Sequence, residues 1–317
     1  MTLYLREAEV RSLLTMDRTL AALESAFNDW AAGKASNQPR RRVAAGSVLA
    51  TMSAALPSKG LIGLKTYTAN RDGARFWVAL FDAASGSPRA VLEADWLGRM
   101  RTGAASGLAT RFLARPEAAI LTVFGSGTQA LTQVLAVAAV RQLLEVRVFS
   151  PTAPHRTAFV DRLTAELPGQ TRIINADDLH RAIEGADIIT TITSASRPVF
   201  PGTWLVAGQH LNVCGSNVAD HREVDARAVA RADIVVADDP EAARLEAGDL
   251  ILAEREGVLS WSRVHSLREV VAGTVGARQP SDVTLFKSVG LAIEDVAAAA
   301  SVIELAEERG IGQRLPG

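Results

Sequence analysis

A chain of 317 residues with 48% hydrophobic content is long enough for two packed cores and too apolar for extended disorder. Its 34 basic and 35 acidic side chains leave a formal charge of −1, which gives no electrostatic reason to expect nucleic acid or a membrane surface as partner. One cysteine, Cys214, excludes an internal disulfide framework, and the charged N-terminal segment around Arg6, Glu7 and Glu9 lacks the apolar run of a secretory signal, so a reducing, cytoplasmic setting is expected.

Residues 1–35 read as a short strand followed by an amphipathic helix, with Leu20, Leu23, Ala26, Phe27 and Trp30 at helical spacing. Between 38 and 92 the apolar runs are short and are separated by Gly, Pro, Asn and Asp, the pattern of an antiparallel sheet. An Ala-rich helix is expected from about Gly103 to Leu113, ended by Pro116. The rhythm then changes to strands alternating with helices: 119–124, 146–149, 172–174, 187–192, 211–214 and 234–237 are nearly continuous apolar runs, with a clear helix at 154–166. That alternation predicts a parallel, doubly wound α/β sheet. A last strand at 283–286 leads into a helix from about Gly290 to Arg309, which is expected to return to the first domain. The domains expected are thus 1–115 with 290–317, a discontinuous α+β unit, and 116–289, a Rossmann unit.

The segment Gly125-Ser126-Gly127-Thr128-Gln129-Ala130 follows the strand 119–124 and opens a helix. Such a turn needs glycines because the strand must reverse sharply and the backbone must come close to a pyrophosphate, whose charge the helix amides then hold. The strand before it and the distance to the end of the next strand match a βαβ unit, so a nicotinamide dinucleotide is the expected cofactor. An Asp or Glu at the end of the second strand would bind the ribose hydroxyls of NAD. Here that end reads Val148-Phe149-Ser150-Pro151-Thr152, with no acid, and Arg156 lies just beyond. The choice leans towards NADP, with NAD as the alternative.

Only four of the basic residues are lysine, and one of them, Lys65, stands inside the apolar run 61–67. A lysine on the inner side of a strand serves as a cation for an anionic substrate, or as a proton donor with a lowered pKa. The plainer alternative is an edge-strand lysine reaching water. Arg101, in Gly98-Arg99-Met100-Arg101-Thr102-Gly103 at the start of the Ala-rich helix, can fork onto a carboxylate or phosphate, and Arg99 is its alternative. In Arg40-Arg41-Arg42, Arg41 faces opposite to its two neighbours, and the sequence does not choose among them. Tyr67, Phe76 and Trp77 either shape a pocket or serve as core and interface aromatics. The five histidines show no metal-ligand spacing, and no nucleophile-elbow serine is present.

Taken with Asn212-Val213-Cys214-Gly215-Ser216-Asn217, Arg222-Glu223-Val224-Asp225, Gly248-Asp249-Leu250 and the segment 286–295, these motifs resemble the ornithine cyclodeaminase/μ-crystallin family over nearly the whole chain. The resemblance implies a homodimer paired through the sheets of its substrate domains. It implies that a substrate carboxylate is held by Arg41 (Arg42 as runner-up), Lys65 and Arg101, with Lys65 and Arg101 as catalytic residues and Asn217 orienting an imine or amine. It puts the stretch from Lys287 to Gly290 near the nicotinamide, so that Thr102 and Ser288 join Gly125 to Gln129, Ser150, Thr152 and Arg156 as the expected cofactor-binding residues. Where cyclodeaminases carry a Glu and an Asp, this chain has Ala50 and Asn217, neither able to act as a carboxylate base. The expected activity is therefore reduction of an imine such as a cyclic ketimine, or oxidation of an α-amino acid. Cyclodeamination of ornithine with bound NAD and a non-enzymatic, μ-crystallin-like binding role are the alternatives.

Overall fold

The computed structural model describes residues 1–167 and 169–316, which form two compact units. One comprises residues 1–104 with the segment from Gly290 onward, and the other residues 105–289. The division falls inside the helix Asp95–Leu113 (α3) rather than after residue 115.

The first unit opens with β1 (Thr2–Leu5), α1 (Glu7–Leu13) and α2 (Met16–Ala31), so the helical pattern read from the sequence is split in two. The split comes at Leu14-Thr15, where the Thr15 hydroxyl accepts the Arg18 amide and starts α2. Strands β2 (Ser36–Asn37), β3 (Arg41–Ala45), β4 (Ser47–Leu56), β5 (Leu61–Asn70), β6 (Gly73–Asp82) and β7 (Pro88–Glu93) build the sheet. From β4 to β7 the neighbours are antiparallel, while β1 joins β7 in parallel and β2 and β3 both pair with β4. The C-terminal helix Ala292–Arg309 packs across β4, β5 and β6 and beside α2. Gly63 permits this approach, since a Cβ there would lie 2.9 Å from Val296 Cγ2.

Register assigns each residue to a face. Lys65 stands opposite Met52 on β4 and Val78 on β6, and Met52 and Val78 are buried with it. Alternation then puts Ile62, Thr66, Trp77, Leu49 and Val43 on the other, open face.

Helix α3 spans Asp95–Leu113 and begins well before the Gly103 expected from the sequence. Its first amides are capped from outside the helix, Asp95 N and Trp96 N donating to the Glu7 carboxylate. Residues 101–110 are buried on every side, which erases the amphipathic period that marks helix limits.

The second unit contains β8 (Ile120–Phe124), α4 (Ala130–Val140), β9 (Glu145–Phe149), α5 (Ala153–Glu166), β10 (Arg172–Asn175), α6 (Leu179–Ile183), β11 (Ile188–Thr191) and β12 (His210–Val213). It continues through α7 (Ala226–Arg231), β13 (Ile234–Ala237), α8 (Pro240–Glu246), α9 (Gly248–Arg255), β14 (Val264–Ser266), α10 (Leu267–Val271) and β15 (Thr284–Lys287). The sheet order is β10-β9-β8-β11-β12-β15-β13-β14, every pair parallel. The chain winds outwards through β8, β9 and β10, then returns to β11 on the other side of β8. That reversal opens a crevice beyond the strand ends where ligands of doubly wound sheets bind.

Candidate active site

The glycine turn leaves β8 at this reversal. Gly125 has φ 116°, and a Cβ on it would collide with the Ile192 carbonyl at the end of β11, so no other residue fits. Gly127 has nothing within 4 Å of where its Cβ would be, which leaves its backbone open to a ligand. Helix α4 starts at Ala130 with no side chain capping it, so its first amides are free of a side-chain acceptor. Around the turn lies a cleft of about 590 Å³, lined by Gly125 to Gln129, the end of β9 with Ser150, Thr152 and His155, residues 192–195 after β11, and Gly215 after β12. A phosphate-approachable backbone, an uncapped helix start and hydroxyls at the end of β9 fit a dinucleotide.

Not every expected cofactor residue is directed there. The Arg156 guanidinium turns back onto the Ser150 carbonyl and Asn175 Oδ1, and the side chain is buried. It braces the end of β9, so the lean towards NADP loses its cation. Ser288 donates to Asp238 Oδ2 at 3.0 Å, and Thr102 donates to the Gly98 carbonyl one turn back in α3 at 2.7 Å.

In the first unit Lys65 is 2% exposed, and its Nζ donates to Asp295 Oδ1 at 2.8 Å. Arg101 is inside α3, not at its start. Its Nε donates to the same Asp295 oxygen at 3.0 Å, and its Nη1 donates to Glu294 Oε2 at 2.9 Å. The Arg40 guanidinium reaches the Gly290 carbonyl at 3.1 Å. Burial, then Arg101, lowers the Lys65 pKa to about 8, against the attraction of Asp295 and with a further contribution from Arg40. Three cations and two carboxylates meet here, a net positive group suited to an anionic ligand. Gly98 makes room for it: a Cβ there would stand 3.1 Å from Lys65 Nζ. The Phe76 ring centroid lies 5.2 Å from the same ammonium, and Phe76 packs on Tyr67.

Arg41 is not brought to this group. It is exposed and pairs with Thr51, on the face opposite Lys65, whereas Arg42 pairs with Ala50 on the Lys65 face. Arg40, outside the strand, is the member of the run nearest the cluster. Arg99 pairs along the helix with Asp95. Trp77 is on the open face. Asn217 is half-buried in the loop after β12. Glu294 and Asp295, which complete the cluster, were not anticipated. Their signal was two adjacent acids in an apolar run, Leu291-Ala292-Ile293 before them and Val296-Ala297 after, at a helix start that favours negative charge. No group of three or more potential metal ligands occurs among the described residues.

A parallel sheet with a glycine-lined crevice at its reversal defines a Rossmann-type dinucleotide-binding fold. The chain belongs to the ornithine cyclodeaminase/mu-crystallin family, whose profile matches residues 1–310. A Δ1-pyrroline-2-carboxylate reductase of Bacillus cereus is 39% identical over 240 residues, 75% of this chain and 73% of that protein. The Δ1-pyrroline-2-carboxylate reductase of Thermococcus litoralis, solved with NADH and L-proline, superimposes with a TM-score of 0.92 at 31% identity, covering 99% of this chain and 100% of that one. An archaeal alanine dehydrogenase dimer with bound NAD gives a TM-score of 0.92 at 31% identity, covering 99% of each chain.

Proposed function

We propose that this protein is a nicotinamide-dependent oxidoreductase that reduces a C=N bond beside a carboxylate, a cyclic ketimine such as pyrroline- or piperideine-2-carboxylate, or in reverse oxidises an α-amino acid. The observation that carries this reading is the net positive group of buried Lys65 and Arg101 with half-buried Arg40, on a chain that also builds the glycine cradle. When bound, the nicotinamide supplies the hydride for the imine carbon. Lys65 and Arg101 bind the substrate carboxylate and fix the plane of the C=N bond, with Arg40 adding charge in place of the expected Arg41. Lys65, protonated at neutral pH and close to its pKa, donates the proton that the imine nitrogen needs. Asn217 offers a hydrogen bond but no base.

The cofactor is NAD(H) or NADP(H). The end of β9 has no acid to repel a 2′-phosphate, and Ser150 and Thr152 offer it hydroxyls. The relatives' dimeric and NAD-bound states support a homodimer here, formed through the open face of the first sheet. Purified protein is mixed with NADH or NADPH and a panel of cyclic ketimines, and cofactor absorbance is followed. Rapid oxidation with a ketimine is expected. Ammonia release from ornithine without added cofactor would instead favour cyclodeamination, and cofactor binding with no turnover would favour a binding protein.

A further inference from the structure

Several sequence motifs outside the glycine turn converge on one buried cluster in the second unit. The Glu223 side chain is fully buried and accepts four hydrogen bonds. Its Oε1 takes the amide and the hydroxyl of Thr193, each at 2.7 Å. Its Oε2 takes the Thr191 hydroxyl at 2.9 Å and the Gly215 amide at 2.6 Å. Thr193 follows β11 and Gly215 follows β12, so one carboxylate ties together the ends of two adjacent strands, and both of these residues line the dinucleotide cleft.

The carboxylate is itself held. Asp249 Oδ1 accepts the amides of Glu223 at 2.6 Å and Val224 at 3.0 Å, and Asp249 Oδ2 pairs with Lys287 Nζ at 2.8 Å. Lys287 also donates to the Ser216 carbonyl at 2.8 Å. Burial disfavours the Lys287 ammonium, but Asp249 and Glu223 outweigh it and hold its pKa above the ordinary range. Two glycines permit this packing. A Cβ on Gly215 would run into Glu223 and the Thr193 backbone, and a Cβ on Gly248 into the His221 carbonyl.

We propose that Glu223, braced by Asp249 and Lys287, is a positioning residue that sets the rim of the cofactor cleft through Thr193 and Gly215. The proposal rests on the dinucleotide reading of that cleft. A Gln of the same size cannot replace Glu223, because its NH₂ would face donors whichever way it turned. Titration of the full-length protein with NADH, read by fluorescence, tests the role beside thermal melting and separate KM values for NADH and imine. Glu223→Gln is expected to weaken NADH binding by roughly tenfold or more. It should raise the KM for NADH while leaving that for the imine near its original value. Thr191→Val keeps the side-chain shape, removes one donor and lies outside the cleft lining, so it covers the case in which Glu223→Gln does not fold. A loss of about two- to fivefold is expected from it. A purely structural Glu223 would lower the melting temperature and leave the Kd of the folded protein unchanged, and that result overturns the proposal. Failure of the unaltered protein to bind either NADH or NADPH would overturn the cofactor reading and the positioning role with it.

Discussion

In the proposed reaction Lys65 concentrates the chemistry in a single side chain, and its environment predicts a pH dependence. Its folded pKa, about 8, lies below the ordinary lysine value of 10.5, chiefly through burial, so it loses its proton well before a solvated lysine would. The neutral amine neither binds a carboxylate nor donates a proton. The kcat/KM for imine reduction should therefore be highest below about 8 and fall as pH rises through that value. A flat profile across that range would remove Lys65 as the titrating donor. Lys65→Met should abolish turnover while NADH binding persists, and normal turnover would sink the assignment. The neighbouring acids explain why a cation tolerates this place at all: Asp295 satisfies the ammonium, and Glu294 and Asp295 share the Arg101 fork.

At the scale of the element, α3 carries both a strength and a concession. Gly98 sits in its first half, where glycine costs about 0.5–1 kcal/mol relative to alanine. The missing Cβ leaves space for the Lys65 ammonium. Gly98→Ala should leave the melting temperature nearly unchanged or slightly higher, yet reduce kcat/KM roughly ten- to hundredfold by displacing that charge. Unaltered kinetics would show that the approach is incidental. At the other end, Arg141 donates to the carbonyls of Thr110, Arg111, Ala114 and Arg115, closing the groups a helix end leaves unsatisfied. Arg141→Ala should cost about 2–4 kcal/mol, since buried acceptors lose a charged donor. Chemical denaturation measures that loss, and a change under about 0.5 kcal/mol, the range of an ordinary surface substitution, would refute the capping role.

For the whole molecule, the consequential surface is the open face of the first sheet. Ile62 is 41% exposed, Trp77 37%, Leu49 39% and Val43 67%, and register puts all four on that face. Large apolar side chains exposed on one sheet face fit an interface with a second copy. The protein is expected to run as a dimer in light-scattering chromatography, and Ile62→Glu to yield monomers that stay folded by circular dichroism. A monomeric unaltered protein would refute the dimer.

Much was legible in the sequence. Continuous apolar strands alternating with helices specified a parallel sheet, because only strands covered on both faces can be apolar throughout. The glycine turn marked the crevice at the sheet's reversal, since Gly125 adopts a backbone that other residues rarely reach. Lys65 stood out because a lone lysine in an apolar strand must find a partner. The partners themselves were decided only by tertiary structure. Asp295 lies far along the chain from Lys65, and no local period links the two. The pairing of β3 with β4 put Arg41 and Arg42 on opposite faces, and Arg40, just before that strand, meets the Gly290 carbonyl through packing that the local sequence does not contain. The same holds for α3, capped by a glutamate from another helix, and for Arg156, whose charge folded back onto its own strand end. Local sequence set backbone conformation and burial, and long-range packing determined which charges meet.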